Sequence, residues 1–259
     1  MGLSIPQKEV ITDKARFRVL ITGRRFGKTY LAINELAKFA SQPNKRVWYV
    51  APSYRQAKAI CWSELKDKLI DHKWVKNINN SDLTITLRNN SRISLRGADN
   101  EQSLRGVGLD FIVLDEFADI HKEAWFEVLR PTLSDKQGHA LFCGSPRGFG
   151  NWSYELYKLS ETNKDWSSFK YTTLEGGNVS DEEVEQAKQD LDIRTFQQEY
   201  EATFVNYSGM IYYNFDRQKN IIEKFDKEHP TLHIGLDFNV DPMTAVVCYV
   251  VNETIVVID

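Results

Sequence analysis

Apolar residues fall along this chain in two alternating registers. Phe17 to Ile21 is a short, nearly unbroken apolar run with Val19, Leu20 and Ile21 at its centre, the pattern of a strand buried on both faces. The next segment, Tyr30 to Ala40, puts Leu31, Ile33, Leu36, Ala37 and Ala40 on one helical face. Lys45 to Val50 predicts a second strand, stopped at Ala51-Pro52-Ser53, and Tyr54 to Leu69 predicts a second amphipathic helix. Thr84 to Leu87 and Arg92 to Leu95, joined through Asn89-Asn90-Ser91, read as a hairpin. Phe111 to Leu114 and His139 to Cys143 are two further buried strands, with Glu123 to Leu129 helical between them. Strand and helix alternate over short connections, so the expected fold class is α/β, a mostly parallel sheet with helices on both faces.

Further on the pattern changes. Ser180 and Glu183 match a capping box at the start of a helix that propensity carries to about Ala202. Tyr207-Ser208-Gly209 marks a break, followed by aromatic residues (Tyr212, Tyr213, Phe215) and a charged run from Lys219 to Lys227. Beyond Pro230 come three strand-like runs, His233 to Phe238, Thr244 to Val251 and Thr254 to Ile258. The expected organisation is a domain over residues 1–205, a linker over 206–230 and strands over 231–259, the last too short a piece to make a stable core alone.

Composition narrows the picture only a little. The 259 residues are 42% hydrophobic and 27% charged with a net charge of −3, which excludes a nucleic-acid coat over the whole surface but leaves room for a local basic track. Arg88, Arg92 and Arg96 on the hairpin are candidates to touch a phosphate backbone, against the plainer reading of a solvated face. Cys61, Cys143 and Cys248 are widely spaced and odd in number, as expected of free thiols in a reducing cytoplasm. No apolar run approaches the roughly 20 residues of a membrane span, and Met1 to Gln7 has no secretory pattern, so no membrane partner is expected.

The candidate chemistry sits at the ends of the predicted strands. Thr22-Gly23-Arg24-Arg25-Phe26-Gly27-Lys28-Thr29 lies between an apolar strand and an amphipathic helix, the setting of a phosphate-binding loop. In such a loop the backbone N–H groups of Gly23 to Gly27 surround phosphates, Lys28 reaches the β/γ-phosphates and the Thr29 hydroxyl ligates Mg²⁺. The pattern departs from GxxxxGK[ST] in one place: Thr22 stands where the first glycine belongs, and the glycine has moved to Gly23. Arg24 and Arg25 would be a liability in a structural turn and an asset beside a triphosphate. The alternative is a basic turn without a ligand. Phe111-Ile112-Val113-Leu114-Asp115-Glu116 delivers two carboxylates at a strand's C-terminal end, Asp115 to hold Mg²⁺ through water and Glu116 to polarise an attacking water. Arg105 lies next to Gly106 on a flexible loop, Ser145 follows the fourth strand, and the amide of Gln7 has the donor and acceptor to read adenine. Each of these three is by itself an ordinary surface or turn residue.

Taken together these segments resemble the large terminase subunit of tailed bacteriophages. The resemblance rests on Gln7, the arginine-bearing loop Gly23 to Thr29, Val50-Ala51-Pro52-Ser53-Tyr54-Arg55-Gln56-Ala57, Leu104-Arg105-Gly106, Leu114-Asp115-Glu116 and Gly144-Ser145-Pro146-Arg147-Gly148-Phe149-Gly150-Asn151-Trp152. It implies a P-loop NTPase of the additional-strand, RecA/helicase-like type, with a core over about 1–154 and a lid over about 155–205. It further implies ATP and Mg²⁺ as cofactors, Arg105 as a finger acting on a neighbouring subunit, and Ser145 as the residue that couples hydrolysis to movement. Expected partners are double-stranded DNA, the portal protein, the small terminase subunit and further copies of this chain in a pentameric ring on the portal. The expected location is the host cytoplasm, transiently on the procapsid and absent from the mature virion. Gly235-Leu236-Asp237-Phe238 resembles the first strand of the family's RNase H-like nuclease, with Asp237 as a metal ligand. The later acidic ligands are missing, so the segment reads as truncated and without nuclease activity. Two other readings stand beside the packaging motor: a helicase-type ATPase, disfavoured because no Ala-His or Ala-Asp follows Asp115-Glu116, and a nucleotide-binding fragment that hydrolyses little by itself.

Overall fold

The six residues of β1 (Phe17–Thr22) are all buried, as their apolar run predicts, because neighbouring strands take both edges and helices take both faces. In the computed structural model the described residues are 2–205, 231–237, 244–252 and 254–258. The chain divides into two units, 1–207 and 208–259.

In the first unit β2 (Arg46–Ala51), β3 (Val75–Asn79), β4 (Thr84–Leu87), β5 (Arg92–Gly97), β6 (Phe111–Asp115), β7 (His139–Gly144) and β8 (Trp166–Tyr171) join β1 in one sheet. Its order is β3-β4-β5-β2-β6-β7-β1-β8. From β5 to β8 every neighbouring pair is parallel, and β3 and β4 add antiparallel strands at one edge. The predicted hairpin is β4–β5. The sheet is thus mostly parallel, with β7 inserted between β1 and β6, the additional-strand arrangement of P-loop NTPases. That order sets the C-terminal ends of β6, β7 and β1 side by side, and with them Asp115-Glu116, Gly144-Ser145 and Thr22-Gly23.

Helices cover both faces. Leu20, Tyr49, Val113 and Cys143 face α2 (Lys28–Ala40) and the helical segment formed by α3 (Tyr54–Ala57), a π-helical turn (Lys58–Trp62) and α4 (Ser63–Asp71). Val19, Trp48, Ile112 and Phe142 face a second π-helical stretch (Ala124–Leu129), continued by α5 (Arg130–Thr132), and α6 (Trp152–Thr162). The residues predicted as one helix from Tyr54 therefore contain a wide turn. Its buried residues Ala57, Cys61, Leu65 and Leu69 recur every four positions, more than the 3.6 of an α-helix, and a π turn keeps them on one side.

α1 (Ile5–Thr12) precedes β1, and α7 (Thr173–Gly176), α8 (Asp181–Asp190) and α9 (Ile193–Glu199) follow β8. The single helix expected from Asp181 to about Ala202 is instead two. The Asp192 carboxylate accepts from the N–H groups of Arg194 and Thr195 and starts a new helix at Ile193, a cap that outweighs propensity for continuation. Val184 and Ala187 of α8 and Phe196 of α9 close a small core of their own.

One ion pair lies wholly inside. Arg18 of β1 donates to Glu35 of α2, both buried, and also to the Val10 carbonyl at 2.7 Å. Arg18 Nε and Glu35 Oε2 have no partner among the described residues. Glu35→Gln keeps the volume but leaves a buried guanidinium uncompensated, so we expect a loss of about 3 kcal/mol in unfolding free energy, measured by denaturant titration.

The second unit contributes β9 (His233–Asp237), β10 (Thr244–Val251) and β11 (Thr254–Val257) in an antiparallel sheet ordered β11-β10-β9. Asp237 ends β9, and its side chain lies outside the described residues, as does the linker expected over 206–230. Among the described residues no helix is long and apolar enough to cross a membrane.

Candidate nucleotide-binding site

Gly23 to Gly27 joins β1 to α2, and both glycines have physical reasons. Gly27 caps α2 at φ 95°, and a Cβ there would come within 2.6 Å of Gln7 Nε2. A Cβ on Gly23 would come within 2.4 Å of Thr173 Oγ1 and 2.6 Å of the Tyr200 carbonyl. The displaced glycine of the motif is thus set by the segment carrying α7 to α9, which packs on the loop at that residue. Thr22, one position earlier, is still a buried member of β1. Arg25 holds φ 61° without being glycine.

The loop's carbonyls are held from outside it. The Arg24 carbonyl accepts from Thr173 Oγ1 at 2.8 Å. Asn178 Nδ2 donates to the carbonyls of Arg25 and Phe26, each at 3.1 Å. Gln7 Nε2 donates to those of Phe26 at 3.4 Å and Gly27 at 3.2 Å. Arg24 N–H donates to the Glu199 carbonyl at 2.7 Å. The N–H groups of Arg25, Phe26, Gly27, Lys28 and Thr29 make none of the described hydrogen bonds. Together with the start of α2 they form a row of donors suited to phosphate oxygens. The Phe26 ring is buried and stacks on Tyr171 at 5.5 Å, so this residue offers its backbone rather than its side chain.

Lys28, Glu116 and Ser145 converge from three elements. Lys28 Nζ stands 3.6 Å from Glu116 Oε1 and 3.5 Å from Ser145 Oγ, and Ser145 N–H donates to Glu116 Oε2 at 3.4 Å. Glu116 adopts φ 48°, which a non-glycine residue takes at a cost and which turns the chain sharply after β6. Asp115 is 3% exposed, and each of its oxygens carries a donor: the Tyr49 hydroxyl bonds Oδ2, and the Cys143 thiol lies 3.3 Å from Oδ1. Burial, then the Asp115 charge, pushes the pKa of both Tyr49 and Cys143 up, so both remain protonated donors.

Arg24 and Arg147 share Glu199. Arg24 Nε is bonded to Glu199 Oε2, and Arg147 lies 3.8 Å from Oε1 of the same carboxylate while making two bonds of 3.1 Å to Asp119. Burial works to raise the Glu199 pKa, but the bonds from Arg24 and Gln198 outweigh it and hold it below the usual carboxylate value. The bond to Asp119 raises the Arg147 pKa. A chain of alternating charges thus runs from the loop through α9 to the turn after Glu116.

The remaining expected residues are placed as follows. Gln7 is 3% exposed, its Oε1 accepts from Ser4 N–H at 3.0 Å in a capping box, and its Nε2 holds the loop. Its amide is therefore engaged with the chain at both ends, and pairing with adenine would require these bonds to be exchanged. Arg105 is exposed beside Gly106 at φ 81°, and its guanidinium makes none of the described bonds. Thr29, in the first turn of α2, and Asp115 are the residues whose oxygens could hold a cation. No group of three His, Cys, Asp or Glu among the described residues forms a cage. This donor set fits Mg²⁺, which is held by one or two protein oxygens together with phosphate oxygens. Sequence reasoning passed over Tyr49, Thr173, Asn178 and Glu199. Tyr49 carried a readable signal, a hydroxyl in an otherwise apolar strand; the other three carried none, since only folding brings them to the loop.

Comparison with known proteins places this geometry in context. A family model described as "Terminase large subunit, T4likevirus-type, N-terminal" matches residues 19–219. The large terminase subunit of Escherichia phage T5 is 32% identical over 244 residues, covering 89% of this chain and 55% of that protein. That of Thermus phage G20c is 26% identical over 278 residues, 90% of this chain and 56% of that one. The chain thus spans about half the length of these relatives. The large terminase ATPase domain of Thermus phage P74-26 superposes with a TM-score of 0.70 at 26% identity, over 79% of this chain and 94% of that one. The large terminase of another thermophilic bacteriophage, solved in complex with ADP, shares the fold with a TM-score of 0.70 at 18% identity, over 96% of this chain and 66% of that one.

Proposed function

As this chain belongs to the terminase large subunit family, T4likevirus-type, we propose that its first unit is an ATP-hydrolysing motor that moves double-stranded viral DNA into a procapsid. The observation that carries the reading is the convergence of Lys28, Glu116 and Ser145 beside a loop whose N–H groups from Arg25 to Thr29 are unengaged among the described residues.

The loop N–H groups and the first turn of α2 take the phosphates of ATP, with Arg24 and Arg25 adding positive charge. Lys28 neutralises Glu116 in the chain alone; as it turns to the β/γ-phosphates it releases that carboxylate. Glu116 then orients a water and takes its proton as the water attacks. Mg²⁺, held through Thr29 and Asp115, supplies charge stabilisation to the phosphate oxygens when bound. Ser145, in contact with both Lys28 and Glu116, registers the change. Glu199 transmits it to α9, because Arg24 cannot serve both the carboxylate and a phosphate fully.

Arg105 completes the site of a neighbouring copy in a pentameric ring on the portal protein, with double-stranded DNA and the small terminase subunit as further partners. The setting is the host cytoplasm, transiently on the procapsid. The strands of the second unit belong to an RNase H-like nuclease fold, in which Asp237 at the end of β9 is a metal ligand. A second reading is favoured by the Arg105 guanidinium, which makes none of the described bonds: the dilute chain binds ATP and hydrolyses little until a partner supplies that arginine.

The binding half of the proposal is tested by titration with a fluorescent ATP analogue. Lys28→Ala removes charge-assisted bonds worth about 1.5–3 kcal/mol, so we expect affinity to fall about ten- to hundredfold while the thermal unfolding midpoint stays. Equal affinity in the variant would remove the phosphate-loop assignment.

A further inference from the structure

We propose that Tyr49 is a positioning residue for Asp115, fixing the carboxylate that serves the divalent cation of the nucleotide site. The inference rests on the functional reading above and extends it to a buried residue of β2.

β2 lies in the interior of the sheet, between β5 and β6, and Tyr49 is 0% exposed. Toward α2 it presents Val47, Tyr49 and Ala51, so the Tyr49 hydroxyl is the one polar side-chain group that β2 places on that face. A buried hydroxyl is costly unless bonded, and a phenylalanine would pack as well, so the group must be explained by its partner. Its partner is Asp115 Oδ2. Register explains the meeting: Tyr49 pairs with Val113, and Asp115 lies two residues further on the same face of β6. From the other side, Cys143 pairs directly with Asp115 across β6 and β7 and brings its thiol to Oδ1 at 3.3 Å. The carboxylate is therefore tethered at both oxygens by donors from the two flanking strands. Tethered so, it cannot rotate freely to follow a metal-bound water, and the lone pairs left to it keep one orientation. Lys28 and Glu116 instead meet at the solvent margin, 10% and 32% exposed in their side chains, with Ser145 as the partner of both.

The test is Tyr49→Phe, which keeps the ring and deletes only the donor. Binding of Mn²⁺ to the chain loaded with ATP is followed by the loss of the free-ion electron paramagnetic resonance signal, and metal-free ATP binding is measured separately in chelator. Groups that orient metal-binding side chains typically contribute about 10- to 100-fold to metal affinity. We expect the variant to bind Mn²⁺ about tenfold more weakly and metal-free ATP as tightly as the unaltered chain. Unchanged Mn²⁺ affinity would overturn the proposal. So would an equal fall in metal-free ATP affinity, which would mark Tyr49 as packing only. Should Tyr49→Phe fold poorly, Cys143→Ala removes the opposite tether and is expected to weaken Mn²⁺ binding in the same way; no change there overturns the proposal equally. Failure of the unaltered chain to bind Mn²⁺ with ATP would instead overturn the functional reading itself.

Discussion

Glu116→Gln is expected to bind ATP at least as tightly as the unaltered chain and to release phosphate about 10²–10⁴-fold more slowly. Glutamine keeps the shape but only one acceptor oxygen; Lys28 at 3.6 Å and Ser145 N–H at 3.4 Å use separate carboxylate oxygens, so one contact persists and the other donor meets an NH2 group. What it lacks is a site for the proton of the attacking water. It also lacks the charge that draws Lys28 away from phosphate, which is why affinity should hold or rise. Steady-state phosphate release with parallel nucleotide titrations separates the two. Equal turnover in the variant would take the proton-accepting role from Glu116.

Arg105→Ala is expected to show its effect only between copies. In solution at low concentration the variant and the unaltered chain should bind ATP equally, since Arg105 is exposed and makes none of the described bonds within its own chain. Where copies assemble, an arginine supplied to a neighbour's γ-phosphate contributes about 10³–10⁵ in turnover. The unaltered chain should therefore gain activity more steeply than in proportion to its concentration, and the variant should not. Adding variant to a fixed amount of unaltered chain should lower total activity, because each variant copy in a ring leaves its neighbour without the finger. Activity linear in concentration and indifferent to the substitution would assign the completing charge to another residue.

The strands were legible in the sequence wherever both faces are buried. β1, β2, β6 and β7 are largely apolar runs, broken in β1 only by the ion-paired Arg18, and the ends of β1, β6 and β7 carry the loop, Asp115-Glu116 and Ser145 to one place. Edge strands were not. β3 has only Val75 and Ile78 half-buried, and a register shift between Val75 and Asn77 breaks the alternation that would reveal it. β8, at the opposite edge, has no fully buried residue, so Trp166–Tyr171 shows no apolar run. The two π turns hide in helical periodicity because they change the path of a helix without changing its residue types. At the site, motif spacing points to Lys28, Thr29, Asp115 and Glu116. It is silent on Thr173, Asn178 and Glu199, whose polar groups lie about 150 to 175 positions from the loop atoms they hold.

Those distant holds have a thermodynamic consequence. The carbonyls of Arg24 and Arg25 keep their orientation through Thr173 and Asn178, while Gln7 of α1 shares that of Phe26 and holds that of Gly27, so the shape that receives phosphate depends in part on the segment carrying α7 to α9 staying docked. Docking and phosphate affinity are then linked quantities. If bound nucleotide resists undocking by some factor, undocking must weaken nucleotide by that same factor. A mechanical load borne by α7 to α9 would consequently be felt as a change in nucleotide residence time. On the proposed motor reading, the same bonds that shape the loop would let resistance from the translocated DNA set the pace of the cycle.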